Sequence, residues 1–148
     1  MFRGVTALNL DAKGRMAVPT RHRDLLRECC NSQLVITADP DRCLLIYPAP
    51  QWAEIEAELD ALPSFNKSAR TLQRLYIGHA HEVEMDGQGR ILLPNELRKF
   101  AGLGKRVTLV GQVKKFELWD EEAWNAKWEE EADLDNIELP LGMESLSI

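Results

Sequence analysis

Polar and apolar positions alternate along this 148-residue chain with two different periods. VTALNL (5–10) mixes them as a half-buried strand does, and RMAV (15–18) and RILL (90–93) read as short strands. LVITAD…RCLLIY and VTLVGQVKKFELW read as β-hairpins, the first turning at Asp39-Pro40-Asp41. Elsewhere the period is helical. Trp52, Ile55, Leu59 and Leu62 recur at spacings of 3, 4 and 3, one apolar face that Pro63 ends. A second helix is expected over 66–77 with Ala69, Leu72, Leu75 and Tyr76 inward, and a third carries Trp124 and Trp128. Pro19 and Pro94 suit the first turns of two short helices, and Gly102 suits the end of the second.

The pattern is written twice. LDAKGRMAVPTRHR (10–23) and MDGQGRILLPNELR (85–98) share Asp-x-x-Gly-Arg, then Pro, then Arg four residues on. At a shift of 75, Asp11 meets Asp86, Gly14 meets Gly89, Arg15 meets Arg90, Pro19 meets Pro94 and Arg23 meets Arg98. At a shift of 72, LLIYPAPQW (44–52) meets FELWDEEAW (116–124). The chain therefore divides into a repeat at 5–52, a helical linker at 53–80, a second repeat at 81–124, and a helix end with an acidic tail at 125–148. A unit of that size buries too little surface to fold alone, so the two copies are expected to pack as an internal pseudo-dimer.

Composition changes this picture in one respect. The chain carries a net charge of −6, which seems to exclude a polyanion partner. The charge is segregated, however. Residues 1–27 hold six basic side chains against two acidic ones, a net of +4, while residues 120–148 hold ten acidic against one basic, a net of −9. One end is suited to a polyanion, although both ends also read as solvated faces. Nothing resembles a signal peptide or a membrane span, so a cytoplasmic protein is expected. Cys29, Cys30 and Cys43 form neither a paired set nor a zinc pattern and are expected to be buried, reduced thiols.

The strand-borne motif Asp-x-x-Gly-Arg-x-x-x-Pro-x-x-x-Arg resembles the swapped-hairpin DNA-binding domain of the SpoVT–AbrB superfamily. Two tandem copies in a chain opening MFRG are similar to the MraZ family of bacterial regulators; the resemblance runs from Met1 to about Trp128. It implies an α+β fold in which two swapped-hairpin repeats interleave as an intrachain pseudo-dimeric β-barrel with flanking helices. It also implies a ring-shaped homo-oligomer, nucleoid-associated, that binds short direct repeats in double-stranded DNA. The regulated genes would be the division and cell-wall cluster, including the regulator's own gene. No cofactor, metal or small-molecule substrate is expected.

The residues carry chemistry consistent with that. A planar guanidinium directly after a tight turn can bind phosphate or a guanine edge in bidentate fashion. Arg15 is therefore the first DNA-binding candidate, followed by Arg3, Lys13, Arg21 and Arg23. Arg21 and Arg23 read equally well as solvated side chains. Asp11, Gly14, Asp86, Gly89 and Arg90 read as structural parts of the motif, the aspartates capping the turns and orienting the arginines. Residues 79–101 have a net charge of −1, so Coulomb attraction favours the first copy for DNA and leaves the second as scaffold.

His79 and His81 lack an evident third metal ligand, DGQGR lacks the dinucleotide-binding spacing, and no nucleophile elbow is present, so an enzyme is not expected. Trp52, Trp124 and Trp128 are read as core or inter-helix packing. The competing function is an antitoxin-like protein-binding module acting through the acidic C-terminal tail.

Overall fold

The computed structural model describes residues 1–143 and 145–147. Glu144, counted above in the acidic tail, and Ile148 at the chain end lie outside them. The fold is mixed α+β. The first repeat supplies β1 (Phe2–Asn9), β2 (Arg15–Ala17), α1 (Thr20–Cys30), β3 (Gln33–Ala38), β4 (Leu44–Pro48) and α2 (Ala49–Asp60). After α3 (Lys67–Tyr76), the second supplies β5 (His81–Glu84), β6 (Arg90–Leu92), α4 (Asn95–Phe100), β7 (Arg106–Val113), β8 (Phe116–Asp120) and α5 (Glu121–Glu131).

Six strands form one antiparallel sheet in the order β1-β7-β8-β4-β3-β5, and β2 pairs with β6 as a separate ribbon. The first strand of each repeat leaves its own unit: β1 pairs with β7, and β5 pairs with β3. Two pairings sit at the centre of the exchange. In the ribbon, Met16 lies opposite Ile91, its own counterpart in the other repeat. In the sheet, Leu45 lies opposite Glu117, again its counterpart. A pseudo-two-fold axis therefore passes through both pairs, and the two repeats are halves of one body.

Alternation along the strands explains the layers. Leu34, Ile36, Leu44, Ile46, Leu109 and Leu118 point to one face, where they pack with Met16 and Ile91 of the ribbon and with Leu26 and Leu97 of α1 and α4. Val35, Leu45, Tyr47 and Trp119 point to the other, where Trp52, Ile55 and Leu59 of α2 cover them together with Tyr76 and Trp124. Because both faces are covered, the central strands read as nearly continuous apolar runs. Each fully buried Leu or Ile contributes roughly 1.5–3 kcal/mol by leaving water.

Several expectations need correction. No closed barrel forms among the described residues: the ladder is open, ending at β1 and β5. Closure would require those two strands to pair, and β5 spans four residues with Glu82 and Glu84 exposed, a charged edge that resists further pairing. β1 starts three residues earlier than VTALNL suggests. Phe2 is fully buried against Phe116, ring centroids 4.3 Å apart, and that contact draws the chain's start into the sheet. Leu72 is exposed rather than inward, since α3 packs through Ala69 and Tyr76. Cys29 is exposed, whereas Cys30 and Cys43 are buried. Trp128 stacks on Trp124 at 6.0 Å but remains half exposed.

His22 is buried on α1, edge-on to both Phe2 and Phe116. Burial holds its imidazole below the ordinary value of 6.5, and the nearby Arg21 charge acts in the same direction. The unfolded chain therefore binds the proton more readily than the folded one, so this contribution is complete above about pH 6.5 and declines as pH falls below it. The repeat counterpart of His22 is Leu97, which is fully buried in the same core. We expect urea midpoints of the native chain to fall between pH 7 and pH 5, and those of His22→Leu to fall less over the same interval. Equal slopes would show that folding leaves the proton affinity of His22 unchanged.

Candidate nucleic-acid interface

Each Asp-x-x-Gly-Arg stretch folds onto its own aspartate. The Gly14 N–H donates to the Asp11 carbonyl and the Asp11 N–H to the Arg15 carbonyl, both at 3.0 Å. Asp11 Oδ1 accepts the backbone N–H groups of Lys13 and Arg15, each at 2.9 Å. Its Oδ2 accepts Arg15 Nε at 2.6 Å. The second copy repeats this: Asp86 Oδ1 accepts from the Gln88 and Arg90 N–H groups at 2.9 Å, and Oδ2 accepts Arg90 Nε at 3.0 Å. Gly14 and Gly89 take φ of +83° and +77°, the left-handed region that only glycine enters without strain. The backbone N–H of the following arginine is the largest influence holding each aspartate below the usual carboxylate range, with the guanidinium acting in the same direction.

The arginines gain a fixed direction from this. In the β2–β6 ribbon, Met16 and Ile91 face the core, so Arg15, Ala17, Arg90 and Leu92 share the outer face. Arg15 lies opposite Leu92 and Ala17 opposite Arg90, which sets the two arginines diagonally across the pseudo-two-fold axis. Leu92 is 55% exposed. Because Nε is bound to aspartate, the outer edge of each guanidinium is left for another partner.

The other sequence candidates are distributed around this face. Lys13 is exposed in the first turn beside Arg15. Arg21, on α1, reaches back to β1, where Nη2 donates to Thr6 Oγ1 at 2.6 Å. Arg3 is exposed on β1, six residues before the strand ends at Asn9, or about 20 Å along it. The cations thus form two groups, Arg15 with Lys13 at the turn and Arg3 with Arg21 along β1. Arg23 is half-buried and donates from Nε to the Val18 carbonyl at 2.7 Å. The repeat counterparts of Arg3, Lys13 and Arg21 are Gly78, Gln88 and Glu96, so the charge asymmetry between the copies lies both at the turn and along β1.

Two residues that sequence reasoning did not assign also flank the first turn. Arg98 of α4 and Lys105 line an open groove of about 420 Å³ with Leu10, Asp11, Ala12 and Gly14. The available signal was the motif's last position, which places Arg98 in register with Arg23. His79 and His81 each direct Nδ1 at a backbone carbonyl, that of Leu75 at 2.8 Å and that of His79 at 2.9 Å. No helix among the described residues is long and apolar enough to cross a membrane.

Comparison with known proteins gives this doubled geometry a family. A model described as "MraZ protein, putative antitoxin-like" matches residues 1–75 and again residues 76–140. The chain belongs to the MraZ family. It is 56% identical over 151 residues to a protein of Thioalkalivibrio sulfidiphilus and 55% identical over 152 residues to one of Halorhodospira halophila, spanning the whole of both chains in each case. It is 59% identical over 129 residues to a relative from Nitrosospira multiformis, covering 87% of this chain and 88% of that one. All three relatives are named "Transcriptional regulator MraZ". The family is one of regulators, not enzymes.

The lowered aspartate values carry a stability consequence. A carboxyl held below its ordinary 3.8 in the folded state stabilises the fold above that pH, and the contribution is lost as pH falls below it. We expect the acid-unfolding limb below about pH 4 to be shallower in Asp11→Asn/Asp86→Asn than in the native chain. Parallel limbs would show that the turns do not hold their aspartates ionised.

Proposed function

We propose that this protein is a sequence-specific DNA-binding transcriptional regulator, and that the outer face of the β2–β6 ribbon meets the duplex. Arg15 is the principal contact, with Lys13 beside it. Arg21 and Arg3 contact the DNA along β1, and Arg23 acts mainly from within the fold. The second repeat (81–124) is chiefly scaffold, the helical linker (53–80) joins the halves, and the acidic segment (125–148) stays clear of DNA. One observation carries the reading: an arginine pinned by its own aspartate sits on an exposed antiparallel ribbon, at the more basic of two otherwise matching turns. Two-stranded ribbons of this kind fit a DNA groove. The relatives' name, transcriptional regulator, agrees with it.

The exchange of first strands between repeats supports a swapped-hairpin assembly of the SpoVT–AbrB kind, here as an open ladder. Two or three cationic contacts per chain give a salt slope of only about −2 to −3 in log–log terms. One chain should therefore bind weakly, and a ring of identical chains on direct repeats would add roughly 10²–10⁴ in avidity. The open edge at β1 is compatible with such self-association. The site would be the chain's own promoter region upstream of the division and cell-wall genes, which places the protein in the cytoplasm at the nucleoid.

A second reading is an antitoxin-like module that captures a protein through its tail. It is favoured by exposed Leu134, Ile137, Leu139, Leu141 and Met143, which lie among acidic residues after α5.

Fluorescence anisotropy on duplex DNA carrying the upstream repeats, run across a salt series, separates the two. We expect Arg15→Ala to lower affinity by at least tenfold, and truncation after Asp133 to leave it intact. Equal weak binding to repeats and scrambled DNA, indifferent to Arg15→Ala, would refute the DNA reading. Arg90→Ala as damaging as Arg15→Ala, with the fold intact, would refute the division of labour between the repeats.

A further inference from the structure

The last arginine of the motif has no partner within its own turn. Its partner is the glycine of the other repeat. A Cβ built on Gly14 would lie 2.5 Å from Arg98 Cζ and 2.7 Å from Nη1, so the Arg98 side chain lies directly against the Gly14 backbone. A Cβ on Gly89 would likewise collide with Arg23 at Nε, Cδ and Cζ.

Hydrogen bonds close each contact into a loop. The Leu93 N–H donates to the Gly14 carbonyl at 3.1 Å, and the Leu93 carbonyl accepts Arg98 Nε at 3.2 Å. In the mirror arrangement the Val18 N–H donates to the Gly89 carbonyl at 2.8 Å, and the Val18 carbonyl accepts Arg23 Nε at 2.7 Å. Each turn is thus gripped from outside by two elements, the facing ribbon strand and the short helix of the opposite repeat. Glycine is required there for its positive φ, and the arginine occupies the space that a side chain would take.

We propose that Arg98, in the second repeat, is the positioning residue for Arg15 in the first, and that Arg23 does the same for Arg90. Gly14 lies in the turn that aims Arg15 and immediately precedes it, so a shift of the Gly14 backbone redirects Arg15 and the Asp11 carboxylate that holds it. Arginine suits the task better than lysine. Its guanidinium fills the space beside the Gly14 Cα while Nε donates to the Leu93 carbonyl, and an ammonium can do only one of these. The second repeat then contributes to DNA recognition without touching DNA. This inference rests on the DNA-binding reading for its functional consequence, but its structural part can be tested separately.

The test uses the full chain with ¹⁵N-arginine and follows the Nε–Hε signals of Arg15 and Arg90, both bonded to aspartate. We expect Arg98→Met to displace the Arg15 signal and leave that of Arg90 in place, and Arg23→Met to do the reverse. Arg98→Lys, which keeps the charge and most of the stem, should displace the Arg15 signal as well and serves if the Met variant does not fold. In anisotropy, both Arg98 variants should weaken binding to the upstream repeats on the order of tenfold. Displacement of both signals together, or of neither, would overturn the crossed assignment. So would restored DNA affinity in Arg98→Lys with the Arg15 signal still displaced, because Arg98 would then act as a direct phosphate contact. Crossed signal shifts combined with DNA binding indifferent to Arg15→Ala would leave the clasp standing and remove the DNA reading. Loss of binding in Arg15→Ala with an unmoved Arg15 signal in both Arg98 variants would do the opposite.

Discussion

The pairing of β2 with β6 is the constraint on which the rest of this structure depends. Three residues from each repeat meet with Met16 opposite Ile91, and that register fixes the pseudo-two-fold axis. A slip of one residue would turn Arg15 and Arg90 into the core and Met16 and Ile91 out to solvent. The buried pair therefore decides which side chains face out, while the sheet below is held to the same axis by Leu45 opposite Glu117. Neither repeat can satisfy its ladder alone, because β1 and β5 complete the sheet strands of the opposite repeat.

On that frame the two turns do local electrostatic work. Each aspartate collects two backbone N–H groups and one guanidinium, so it holds the turn and the following arginine in a single geometry. The exposed ion pair itself contributes little to stability. Its value lies in order: a side chain with several rotatable bonds is presented in one direction before any partner arrives, which lowers the entropic cost of recognition. The copies differ in what accompanies this device, with Lys13 in the first turn and Gln88 in the second.

Much of this was legible in the sequence where the causes are local. The Asp–Arg pairing spans four residues, and the glycine and proline positions of the motif follow from backbone sterics, so the turn, the two short helices and the repeat itself could be read directly. The apolar runs of β3, β4 and β7 marked the central strands. What could not be read depends on contacts between distant parts of the chain. Phe2 joins the core because Phe116 is there to meet it, and Arg23 and Arg98 reach glycines in the opposite repeat. The open ladder, with β5 too short and too acidic to close on β1, likewise follows from the assembled strand order and not from any single strand.

The exchanged strands make the two repeats one folding unit. The most direct test is circular dichroism and sedimentation of the separate segments 1–75 and 76–148, alone and mixed, at low micromolar concentration. Neither segment is expected to fold as a monomer, and mixing is expected to restore the native spectrum in a one-to-one complex. A monomeric segment 1–75 that unfolds cooperatively by itself would contradict it.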